Sequence, residues 1–332
     1  MLVRIKFRCW TGAALAGCVF AAGAAANGAQ PADADTLMKT CDLDRAEALA
    51  QEGLKKNADD PEALRLLGRA MIARDQFKEA IALLEQAAAL KPDSAETYFY
   101  QGEARLQYAA HAPMLKKFGL AGGARDAYLR AVELAPENAR YRAPLVTYYA
   151  AVPGIAGGSM KKARAHAVAI AKSDPLEGAY QQAYIAAVGQ EEEEARKLLQ
   201  ELAVKGHTPS ALLLAQLSAK AGQPEAAFAA VDGVLKKHPG DLAALYTLGL
   251  VAGVTGQQLE RGETALQSYL SNPRNRCQVN AKIARASAYY GLGEIYRKSK
   301  RVEQARASYK ASLEAFPDFA QAENALDDLP DE

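Results

Sequence analysis

A pattern of large and small residues recurs along this chain, and it constrains the fold more than any single motif. From Pro61 it reads Leu64-x2-Leu67-Gly68-x2-Met71, then Ala80-x3-Leu84, Ala87 and Pro92. From Ala286 it returns as Tyr289-x2-Leu292-Gly293-x2-Tyr296, then Ala305-x3-Tyr309, Ser312 and Pro317. Large residues three and four apart make one face of a helix. Gly or Ala at the eighth place and Ala at the twentieth let a second helix approach closely, and the Pro that follows stops that helix. Each helix pair then carries an apolar face that it cannot bury alone, so neighbours must stack.

Both segments match the spacing W-x2-L-G-x2-Y…A-x3-F…P over about 34 residues, and the chain resembles the tetratricopeptide-repeat family on those residues. No Trp fills the first position of any repeat; Leu, Tyr or Ala does. The resemblance implies an all-α, right-handed α-solenoid of helix pairs. In this frame residues 34–60 form a degenerate repeat. Units follow at 61–94, 95–138, 139–177, 178–207, 208–241, 242–275 and 286–319, with a capping helix at 319–329. Helix A of the last unit is expected to start early, near Gln278. The run Glu191 to Glu194 reads as the first turn of a helix, where carboxylates face the positive end of the dipole.

The N-terminus has the layout of a secretory signal peptide. Arg4, Lys6 and Arg8 precede an uncharged Ala/Gly-rich stretch that ends in Ala24-Ala25-Ala26. Residues 1–26 are therefore predicted to be removed, with 27–33 as a linker, and the bacterial secreted or periplasmic type of the family is implied. Leu15-Ala16-Gly17-Cys18 resembles a lipobox, so the alternative is a lipoprotein anchored through Cys18, the one route by which this chain would meet a membrane. Loss of three cations takes the net charge from +1 to about −2, which argues against nucleic acid as a partner. Cleavage after Ala26 leaves Cys41 and Cys277 near opposite ends. An elongated molecule would hold them too far apart for a disulfide, so both are expected as free or buried thiols.

Two units carry insertions in the turn from helix A to helix B, about ten residues at 109–119 and about five at 153–159. The first loop holds Met114, Lys116, Lys117 and Phe118, either as an exposed partner contact or folded back as an extra turn. In the second, Gly157, Gly158, Ser159 and Lys161 suggest an anion cradle at a helix start. The simpler alternative makes Ser159 an N-cap.

His111, His166, His207 and His238 are scattered, so no zinc site is expected and no cofactor is implied. No motif joins a nucleophile, a base and an oxyanion donor, and the chain reads as a non-enzyme. The resemblance implies a concave groove lined by the second, fifth, ninth and twelfth places of helix A. Mapped here, its partner-binding candidates are Arg65, Arg69, Phe99, Glu103, Gln182, Gln216, Tyr246, Tyr290 and Glu294, with the aromatics as anchors. This lining is unlike the family's Lys- and Asn-rich carboxylate clamp. The expected function is a periplasmic protein–protein interaction scaffold that binds a peptide or protein segment in the groove, in envelope assembly or secretion. The alternative is a small-ligand or anion-binding module built on the two enlarged loops.

Overall fold

The computed structural model describes residues 33–277 and 280–330, so the leader with Arg4, Cys18 and Ala26 lies outside the described residues, as does Gln278. Among the described residues all regular structure is helical. The degenerate start is α1 (Ala34–Thr40) and α2 (Leu43–Lys56). Seven pairs follow: α3 (Pro61–Ala73) with α4 (Phe77–Leu90), α5 (Ala95–His111) with α6 (Met114–Leu134), and α7 (Ala139–Ala151) with α8 (Met160–Ser173). Then come α9 (Pro175–Val188) with α10 (Glu192–Val204), α11 (Thr208–Lys220) with α12 (Pro224–Lys237), α13 (Leu242–Thr255) with α14 (Leu259–Ser271), and α15 (Ala281–Lys298) with α16 (Val302–Ala315). The cap is α17 (Ala320–Asp327).

The boundaries follow from local chemistry. Asp60, Ser94, Asn138, Asp174 and Asp241 each begin a helix A by accepting a backbone N–H of its first turn, which satisfies one of the donors that a helix start leaves free. Ser94, Asn138 and Asp241 come two residues after the prolines that end helix B, Pro92, Pro136 and Pro239. Glu192, Glu193 and Glu194 do occupy the first turn of α10. Helix α9 starts at Pro175, three residues before the sequence frame placed its unit, because Asp174-Pro175 supplies both a cap and a preferred first residue.

The close approach of A to B rests on the small places. Ala80, Ala124, Ala163, Ala195, Ala227 and Ala305 are fully buried. A Cβ on Gly68, Gly102, Gly249 or Gly293 would lie 2.1–2.7 Å from the side chain of Leu84, Tyr128, Leu266 or Tyr309 respectively. Those four large side chains are themselves buried, each contributing roughly 1.5–3 kcal/mol of transfer free energy.

The insertion at 109–119 is not a loop. It lengthens α5 through His111 and starts α6 at Met114, so the extra residues extend both helices of one hairpin. Pro153 to Ser159 does form an irregular turn, with one short 3-10 segment at Gly154–Ala156.

The expectation of free thiols is overturned. Cys41, at the end of α1, forms a disulfide with Cys277, just before α15; their Cα atoms are 5.8 Å apart across 236 residues of sequence. The array is therefore not elongated in the sense that argument assumed. Each unit is rotated a little against the last, and the rotations accumulate until the ends meet. Three further contacts join them. Lys282 pairs with Asp75 at 3.0 Å. The Asn280 backbone N–H donates to Gln107 Oε1 at 3.1 Å. The His111 ring meets the Phe316 ring edge-on at 5.3 Å. Cys41, Asp75 and His111 lie at the A-to-B turns of the first three pairs, whereas Cys277, Lys282 and Phe316 lie at the opposite edge of the last pair. The solenoid thus makes one closed turn, with its first edge seated on its last.

Candidate interaction surface

Helices α3, α5 and α7 are consecutive A helices, and their second, fifth, sixth and ninth places bring arginines and rings together. Arg140, at the start of α7, has its guanidinium 4.5 Å from the Phe99 ring centre and 5.4 Å from that of Tyr100. It donates to the Tyr100 hydroxyl at 2.8 Å and lies 3.9 Å from Glu96. Arg65 also reaches Glu96, at 3.2 Å, and pairs with Glu62 on its own helix. Arg69 also lies over Tyr100, 4.7 Å from its ring centre, and pairs with Asp35 of α1 at 2.7 Å. Burial pushes the Tyr100 hydroxyl above its ordinary pKa against the pull of both arginines, so it stays a neutral hydrogen-bonding group near pH 7.

Of the sequence-predicted groove residues, this cluster unites Arg65, Arg69 and Phe99. Phe99 and Tyr246 are not surface anchors. They are 7% and 3% exposed, packed against Tyr128 and Tyr141 and against Tyr269 respectively. Tyr290 is half-buried between Tyr309 and Phe319, its ring centre 5.8 Å from each. A large apolar side chain at the fifth place turns into the junction between neighbouring A helices, because burial there is worth more than exposure to the groove. Gln182 is exposed and Gln216 is half-buried.

The two acids of the predicted lining are tied to tyrosines. Tyr128 donates to Glu103 and Tyr309 donates to Glu294, each at 2.6 Å. Burial raises the Glu103 carboxyl above the usual range, with the Tyr128 hydroxyl and Arg140 opposing it. At Glu294 burial also acts upward, but the hydrogen bonds from Arg297 and Tyr309 outweigh it and the carboxyl falls below the usual range.

The enlarged turns give less than the sequence suggested. Phe118 is half-exposed on the extended α6, Lys116 is exposed and Lys117 partly so. The side chain of Met114 lies outside the described residues. In the second turn Gly157 adopts φ +95°, a conformation that disfavours a Cβ. A side chain on Gly158 would collide with the Val152 carbonyl. Ser159 Oγ accepts the Lys162 N–H at 3.3 Å, so the serine caps α8 and takes up one of the donors an anion would need. Lys161 is exposed. Ile155, at the tip, is wholly exposed.

Sequence reasoning missed Arg140 and Tyr100. Arg140 stands at the second place of its unit, a position already assigned to the groove, so reading out that place would have found it. Tyr100 stands at the sixth place, outside the assigned set, and had no such signal.

Family models described as tetratricopeptide repeat match residues 37–106 and 286–319. No curated protein matches the sequence. Among solved structures, the chain is similar to one in the crystal structure of the APC/C hetero-tetramer Cut9-Hcn1, with 19% identity and a TM-score of 0.51. That match covers 86% of this chain and 52% of the other, so this chain spans about half the length of that relative. It is also similar to a tetratricopeptide repeat protein from Parabacteroides merdae ATCC 43184, with 11% identity and a TM-score of 0.48 over 89% of this chain and 94% of that one. At such identities the likeness concerns the fold alone.

Proposed function

The chain belongs to the tetratricopeptide-repeat family, and on that premise we propose that it is a non-catalytic scaffold holding a peptide or protein segment against its A helices, outside the cytoplasm. The fold suggests a protein–protein interaction scaffold, since stacked repeats offer one long surface that no single unit could build. The observation that carries the finer reading is the cluster on α3, α5 and α7. Arg140 is exposed at its centre and lies over the Phe99 and Tyr100 rings, and Arg and Tyr are among the residue types that dominate binding hot spots. The carboxylates Asp35, Glu62 and Glu96 hold its three arginines in place and leave little net charge. The fitting occupant is therefore a segment of mixed character rather than a strongly acidic tail.

The extracytoplasmic reading is supported by the Cys41–Cys277 disulfide, since structural disulfides persist in oxidising compartments and are rare in the cytosol. The leader-like N-terminus agrees with it. Mass spectrometry of the mature N-terminus distinguishes cleavage after Ala26 from lipidation at Cys18.

Photo-crosslinkers at positions 140 and 182, on the proposed surface, and at 78, exposed on α4, test the surface in the native envelope. Capture of one partner from 140 and 182 but not from 78 is the expected result. Equal capture from 78, or capture only from position 118, refutes the assignment.

A further inference from the structure

The seam where the two ends meet is held by unequal forces. Cys41–Cys277 is covalent. Asp75–Lys282 is an ion pair whose lysine side chain is half-exposed, and such pairs contribute little in water. The Asn280–Gln107 hydrogen bond leaves the other amide atom of Gln107, Nε2, buried without a partner. The His111–Phe316 contact is a single ring edge. Among the described residues no hydrophobic cluster crosses the seam. Those of the first three pairs stay within residues 34–185, and the largest runs from Ala203 to Leu329. A further cluster, Tyr180, Ala183, Leu199, Leu202 and Leu214, shares Ala203 and Ala230 with the largest one, so the two ends are joined by apolar packing through the middle of the array and not across the seam. Both cysteines are only half-buried, within reach of a reductant.

We propose that this seam is a redox latch: the disulfide holds the solenoid as one closed turn, and its reduction lets the ends part and widens access to the A-helix surface. The chemistry is thiol–disulfide exchange with a dithiol oxidoreductase. Its thiolate attacks one sulfur and the Cys41–Cys277 bond breaks. Its second thiol resolves the mixed disulfide, so two electrons and two protons end on the two cysteines while the reductant becomes the disulfide. The same exchange run backwards closes the latch. Opening needs no unit to unfold, because small changes at many inter-unit junctions add up to a large displacement of the ends. The effect on access rests on the proposed function above; the latch itself does not.

The test uses the full mature chain. Alkylation of the native protein without reductant should add no mass, and two alkyl groups after reduction; free thiols in the native protein overturn the proposal at once. Small-angle scattering should then show a larger radius of gyration for the reduced protein and for Cys41→Ser/Cys277→Ser, with the far-UV circular dichroism of both unchanged. Lys282→Glu, which sets two carboxylates against each other, should leave the oxidised protein closed and open the reduced one further. Identical scattering from oxidised and reduced protein means that the seam holds without the disulfide, and the latch is wrong. Should the serine variant not fold, the reduced wild type and Lys282→Glu carry the test. Crosslinking from position 182 should change several-fold on reduction. If the ends open while that yield stays constant, the latch stands and the groove assignment falls.

Discussion

Glu103 and Glu294 occupy the same ninth place in two units, beneath the glycines Gly102 and Gly293 and against the tyrosines Tyr128 and Tyr309, yet their surroundings drive them in opposite directions. In each unit the glycine lets the tyrosine ring lie on helix A, which brings its hydroxyl to the carboxylate at 2.6 Å. Three residues further on the units differ. Arg297 faces Glu294 and binds it at 2.7 Å, whereas the corresponding place after Glu103 is Leu106, packed with the apolar cluster. One carboxylate is desolvated and compensated, the other desolvated and left to a tyrosine and the distant help of Arg140. The repeat framework fixes where a side chain stands; the twelfth place decides in which direction its pKa moves.

The comparison breaks most visibly at the shared glycines. Gly102→Ala and Gly293→Ala should each cost about 2–3 kcal/mol, because a Cβ would overlap a ring that has no room to withdraw; urea denaturation followed by circular dichroism measures it. Unequal costs would show that the two rings are not equivalently held. Glu294→Gln comes next, at about 1–2 kcal/mol near pH 7, since it removes charge from hydrogen bonds that both Arg297 and Tyr309 make to it. Tyr128→Phe should cost about 1 kcal/mol more than Tyr309→Phe, because Glu103 then keeps no hydrogen-bond donor while Glu294 keeps Arg297. Thermal melts of the wild type and the two tyrosine variants decide that order.

The smallest effect is the most diagnostic. A carboxyl whose folded pKa is raised gives stability that is full below the ordinary value of 4.5 and is lost as pH rises through the folded value. Glu103→Gln, which mimics the protonated acid, should therefore be neutral or stabilising by about 0.5 kcal/mol at pH 7 and lose that advantage below about pH 4. Glu294 has the opposite sign. Its folded pKa is lowered, so its contribution is present above 4.5 and fades as pH falls through the folded value. The penalty of Glu294→Gln should shrink in acid. Stability curves of both variants between pH 3 and 8 that run parallel would contradict the contrast.

The helix pairs were legible because their determinants are local. Ala80 and Ala305 sit at the same place and are buried alike, and caps such as Asp60 and Ser94 lie beside the helices they start. The groove was half legible. The fifth place brings Arg65 and Phe99 to the cluster on α3, α5 and α7, but the sequence does not say whether a side chain there turns outward, as a charged Arg65 must in part, or inward, as Phe99 and Tyr246 do. The insertion at 109–119 was seen as an interruption because extra length has no pattern of its own. In the folded chain that length is what carries His111 across to Phe316. The disulfide was beyond reach for a related reason. It depends on the sum of small rotations over seven units, and no single unit encodes that sum.

A repeat array normally has free ends, and amide hydrogens there exchange first because terminal units have a neighbour on one side only. In this chain α1 is tied to the residues just before α15, so the first unit borrows a second neighbour from the last pair. The protection profile along the chain should accordingly lack the usual decline toward its start, and the soft points should migrate inward to whichever junction between pairs is weakest. A linear polymer of units would then melt as a loop, with its breathing set by its middle and not by its tips.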